Sequence, residues 1–123
     1  MYVCMYVYIC FVSYWITHPG AIWSLLGYWG TVGGFFGAGS SLAYGKELTL
    51  HQALSNTRTD GIGELYREGA AALLNSMATS NFPFSSQQVK DAFTSALVSQ
   101  KAAATQAETF KLANEGKLKK KKH

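Results

Sequence analysis

The first forty-five residues contain no aspartate, glutamate, lysine or arginine. So long an uncharged stretch is rare on a water-facing surface. It points to deep burial, to a membrane, or to a segment that never folds in this form. Cysteine is almost missing as well. Cys4 and Cys10 are the two in the chain, too few for a disulfide framework and without the four-ligand spacing of a structural zinc site. No Gly-x-Ser-x-Gly elbow surrounds any serine. Gly27, Gly30, Gly33, Gly34 and Gly37 are not closed by the Gly-Lys-Ser or Gly-Lys-Thr of a phosphate loop. No segment after residue 46 alternates with the period of a strand.

What is present suffices for one small domain. The chain has 123 residues, and its apolar fraction of 48% excludes global disorder. Five of the eleven basic residues, Lys117 and Lys119 to Lys122, fall in the last seven positions. The body before them carries six basic against seven acidic groups, so the basicity belongs to a tail. Such a charge run repels itself and stays solvated.

Helical periodicity dominates the body. Pro19 suits a first turn, with Ile22, Leu25 and Leu26 on one face behind it. Thr49 caps a short helix that places Leu50, Ala53 and Leu54 together. Asp60 caps a longer one, in which Ile62, Leu65, Tyr66, Gly69, Leu73 and Met77 recur at three- and four-residue steps. The small residues of "GAAALLNS" allow a neighbouring helix to come close. Ser85 and Gln88 form a capping box before Val89, Phe93, Ala96 and Leu97. Strong helix formers continue past Phe110 and Ala113 to Gly116 as a terminal cap, in one helix or two. The expected fold is all-α, a small bundle of four to five helices with an apolar, glycine- and aromatic-rich N-terminal segment and a disordered basic tail. Its core is expected on Leu65, Leu73, Phe93, Leu97 and Phe110, with Trp15, Trp23 and Trp29 as an apolar flank.

The opening "MYVCMYVYIC" nearly repeats itself. Its first seven residues can be written as an unbroken in-frame ATGT tetranucleotide repeat, which Tyr8, Ile9 and Cys10 continue with little change, and this explains the pattern better than any protein property. Residues 1–12 are therefore expected to be non-native, residues 13–116 to form the helical domain, and residues 117–123 to form the lysine-rich tail.

Two blocks, "SYWITHPGAIWSLLGYWGTVGGFFG" and the stretch from "LTLHQALSN" to "KLANEG", resemble a family of small secreted plant proteins of unknown function. The family shows Tyr-Trp-x-x-His-Pro and Ala-Ala-Leu-Leu-Asn-Ser motifs, and is loosely similar to microbial surface-protein modules. Tyr14, Trp15, His18 and Pro19 match the first motif. Asp60, Gly61, Glu64, Arg67, Leu74, Asn75 and Ser76 match the second block. The resemblance implies secretion, although no basic start precedes the apolar run and no small-residue cleavage site follows it.

Chemistry is sparse in this sequence. Cys10 and His18 lie eight positions apart and make no metal site on their own; His18 reads as a packing or hydrogen-bonding residue ahead of Pro19. His51 reads as a surface or core histidine. Arg58, Asp60, Glu64, Arg67 and Glu68 form the most polar cluster. Glu64 and Glu68, one turn apart, are the pair an acid–base enzyme would use, yet cap, dipole and ion-pair roles account for all five. The expectation is a non-enzymatic extracellular structural or interaction module without cofactor or metal. Lys119, Lys120, Lys121 and Lys122 are its contact to an acidic polysaccharide or other polyanion, with no specific nucleic acid. The alternative is a small membrane-associated protein anchored by residues 1–45, where Gly33 and Gly37 fit a membrane-helix packing motif.

Overall fold

The computed structural model describes residues 12–26, 48–79 and 82–118. Six helices and no strand occur among them: α1 (Val12–Thr17), α2 (Pro19–Leu26), α3 (Leu50–Ser55), α4 (Gly61–Ala78), α5 (Ser86–Ala96) and α6 (Gln100–Asn114). The fold is all-α, as the periodicity predicts. The sixth helix is α1, which is too short and too aromatic to show a helical stripe. Trp29, the glycines from Gly27 to Gly37, residues 1–11 and Lys119 to Lys122 lie outside the described residues, together with the expectations attached to them.

The caps follow the sequence closely. Thr49 and Ser85 each close a capping box, with Gln52 and Gln88 as the reciprocal partners. The Asp60 carboxylate accepts from the Gly63 backbone N–H at the start of α4. The stretch from 86 to 114 is two helices. Leu97 ends α5 with a tight turn onto Thr94, and Ser99 caps α6 by accepting from Ala102. After α6, Gly116 takes a left-handed φ of 76°. Its N–H donates to Ala113 and that of Lys117 to Leu112, the paired bonds of a Schellman cap. Lys117 and Leu118, counted with the tail by composition, thus belong to the helix end, and Leu118 packs against the core.

α4 is the central helix, touched by all five others, and α6 lies along it most extensively. Ala70 to Asn75 are six consecutive buried residues, so this part of α4 is covered on every side. Small side chains make the cover fit. A Cβ at Gly61 would fall 2.1 Å from the Gln100 carbonyl oxygen, and one at Gly69 would fall 2.7 Å from the Phe93 ring. Phe93 also meets Tyr66 edge-on at 5.2 Å.

Leu65, Leu73, Phe93 and Phe110 are fully buried, as expected, and Leu97 packs against them from the margin. The tryptophans divide differently from the expected flank. Trp15 is 3% exposed and is part of the core, whereas Trp23 is 45% exposed. Phe82, between α4 and α5, is also buried and stacks edge-on with Phe84. Each such side chain contributes about 1.5–3 kcal/mol relative to exposure.

Candidate functional site

The matched motif positions meet in the interior. Trp15 on α1 donates its indole N–H to Asn75 Oδ1 on α4 at 3.2 Å. Asn75 Nδ2 donates to Asn114 Oδ1 at the end of α6 at 3.0 Å. Asn114 Nδ2 then donates to both the backbone oxygen and Oε1 of Glu68, each at 3.0 Å. Trp15, Asn75 and Asn114 are buried, so the chain of bonds compensates polar groups that water cannot reach. Its direction is dictated by chemistry. An indole nitrogen only donates, so Asn75 must turn its oxygen to Trp15 and its amide N–H to Asn114. Asn114 is thereby fixed in turn, and the relay has to end on an acceptor.

The rest of the first motif is local. His18 stacks on the Tyr14 ring with centroids 4.1 Å apart, and its Nδ1 lies 2.9 Å from the Tyr14 carbonyl oxygen. Pro19 starts α2, which the His18 carbonyl caps by accepting from Ala21. His51 bridges α3 to α1, with Nε2 3.0 Å from the Ile16 carbonyl oxygen. Both histidines hold backbone carbonyls. No group of three or more His, Cys, Asp or Glu side chains among the described residues is placed to hold a metal ion.

The polar cluster divides into two parts. Arg58 pairs with Asp60, and Gln100 spans from α6 to both the Asp60 carboxylate and the Ile62 N–H. The hydrogen bond from the Arg58 guanidinium holds the half-buried Asp60 carboxyl below its ordinary value of 3.8. Arg67 reaches back to the carbonyls of Asn56 and Arg58 at 3.1 and 3.2 Å, and Asn56 donates to those of Ala53 and Gly63. Together they order the loop between α3 and α4. On the other side Glu64, Arg67 and Glu68 face Ala107, Glu108 and Lys111 of α6 across a recess of about 80 Å³. Burial pushes the Glu68 carboxyl above its ordinary 4.5, against the lowering effect of the Asn114 bond.

A recess of this size is far below the ~300–1,000 Å³ of ordinary ligand sites. A larger hollow of about 490 Å³ runs between α5 and α6, lined by Ala92, Ser95, Ala96, Ser99, Lys101, Ala102, Thr105 and Gln106. None of these is a histidine, aspartate or glutamate, and Lys101 is its one titratable side chain. Glu64 and Glu68 share a recess, but Glu68 is occupied as the end of the relay. Trp15, Asn75 and Glu68 stand out in the sequence separately; Asn114 does not, since a lone asparagine near a helix end carries no signal beyond that of a cap.

The chain matches the Protodermal factor 1 C-terminal domain over residues 11–122. It is 57% identical over 111 residues to Protodermal factor 1 of Arabidopsis thaliana, a match covering 87% of this chain and 36% of the relative. The chain thus spans about a third of that relative's length. No solved structure matches it. A plant protein family is therefore the right setting for this helical domain, and the chain belongs to the Protodermal factor 1 C-terminal domain family.

Proposed function

We propose that the domain is a non-catalytic extracellular module, structural or interaction-forming, and that Lys119 to Lys122 supply its contact to an acidic polysaccharide or other polyanion. The observation that carries this reading is the use to which the polar cluster is put. Asp60 caps α4, Arg67 holds loop carbonyls, and Glu68 accepts from Asn114. Glu68, one of the two carboxyls an acid–base pair would use, is thus engaged in holding helices together. Secretion, and the wider likeness to microbial surface modules, belong to the same proposal and rest on the motif resemblance.

The membrane alternative has less support, because no helix among the described residues is long and apolar enough to cross a membrane. Fractionation of plant tissue expressing the full chain separates the readings. Release from the wall fraction by salt, lost when Lys119 to Lys122 are replaced by glutamine, is the expected result. Recovery that requires detergent overturns it. Retention of an enzymatic turnover that disappears in Glu64→Gln, with folding unchanged, would overturn the non-catalytic part.

A further inference from the structure

We propose that the Trp15–Asn75–Asn114–Glu68 relay is a pH-responsive device that couples the charge on the Glu68 carboxyl to the seating of α1 against α4. Three features of the geometry support the coupling. The relay is continuous, with every link between 3.0 and 3.2 Å. It runs in a single direction, because the indole at its origin has no acceptor. It also leads from a buried tryptophan to a half-buried carboxyl that borders the recess.

The two charge states of Glu68 act differently on this chain. As a carboxylate, Oε1 receives a charge-assisted bond from Asn114, and the aligned amides behind it polarise one another in the same sense. A proton on Glu68 must sit on Oε2, since an O–H at Oε1 would point at the Asn114 N–H. Oε1 then accepts as a neutral carbonyl oxygen, and the links back to Trp15 weaken. Several charges set the pH at which this happens. Glu64 and Arg67 come from the same helix, and Glu108 and Lys111 face Glu68 from α6. Glu115 beyond α6 adds a negative charge, itself paired with Lys117 at 3.0 Å. Burial displaces the titration upward from the ordinary glutamate value.

Coupling of this kind is reciprocal: what Glu68 does to Trp15, Trp15 does to Glu68. Two NMR measurements on the intact chain test it. In the unaltered protein the Trp15 indole N–H resonance is expected to shift with pH at the same midpoint as the Glu68 side-chain carboxyl carbon, and to lose that step in Glu68→Gln. In Trp15→Phe the Glu68 midpoint is expected to rise, although three hydrogen bonds separate residue 15 from Glu68, because the relay has lost its first donor. A Trp15 resonance that stays flat while Glu68 titrates overturns the proposal. So does a Glu68 midpoint unmoved in a folded Trp15→Phe protein. Should that variant fail to fold, the first measurement decides alone.

Discussion

Asn75→Ala probes the centre of the relay. Asn75 is fully buried, accepts from Trp15 and donates to Asn114. Truncation leaves the Trp15 N–H without an acceptor and the Asn114 oxygen without its donor, both away from water. Each orphaned group costs about 1–3 kcal/mol, and the void of the missing carboxamide adds to them. A loss of about 4 kcal/mol is expected, a large share of the ~5–15 kcal/mol that holds a domain together. Urea unfolding followed by far-UV circular dichroism measures it as a shift of midpoint at constant slope. Asn75→Leu separates the causes, since leucine fills the space but satisfies neither neighbour. It is expected to remain destabilised, and pairing it with Trp15→Phe is expected to recover a coupling of about 0.5–3 kcal/mol. Asn75→Leu within ~0.5 kcal/mol of the unaltered protein, the range of an ordinary surface change, would refute the reasoning, because Trp15 and Asn114 would then not depend on residue 75.

Other perturbations test the packing and the charges. Gly61→Ala puts a methyl group 2.1 Å from the Gln100 carbonyl and 2.9 Å from the Ala104 nitrogen. It should lower stability by about 1–3 kcal/mol, read as a drop in Tm. Phe93→Ala empties the space between Tyr66 and Gly69 and should cost about 3–5 kcal/mol in the same urea titration. Ser99→Ala removes the cap of α6 and should cost about 1 kcal/mol, with amide exchange rising first near Ala102. The pH dependence has two limbs of opposite sign. Glu68 holds its proton more tightly when folded, so its contribution is complete below 4.5 and is lost as pH rises through its elevated value. Asp60 holds its proton less tightly when folded, so its contribution is present above 3.8 and is lost as pH falls through its lowered value. Tm measured against pH in Glu68→Gln should lose the first limb and keep the second.

Most of the helices were legible because their signals are local. Thr49 with Gln52, Ser85 with Gln88, Asp60 and Gly116 act within one turn of their own positions, and all four caps form. The break after Leu97 was not legible. Val98 and Ser99 carry neither glycine nor proline, and Val98 is 80% exposed, so nothing in its apolar character marks a turn. Trp15 was misplaced for a related reason. Burial of its indole N–H depends on an acceptor 60 positions away, Asn75, which no local pattern announces. Periodicity identifies which face of a helix is buried, but not which polar side chains will meet across 40 or 60 positions of sequence, such as Gln100 with Asp60 or Trp15 with Asn75. The site inherits that gap, since the residues it joins carry no shared local signal.

The relay also bears on how fast this domain folds. Its bonds join residues 60, 39 and 46 positions apart, and the last partner, Asn114, closes α6. Individual helices form in about a microsecond, but these bonds must wait for long loops to close. The domain should therefore fold more slowly than helical bundles built from neighbouring contacts, whose short loops make them among the fastest folders. On a ribosome the wait is longer still. Trp15 and Asn75 are made well before Asn114, the partner of Asn75 on the last helix, so the early helices remain open to chaperones until that helix has emerged.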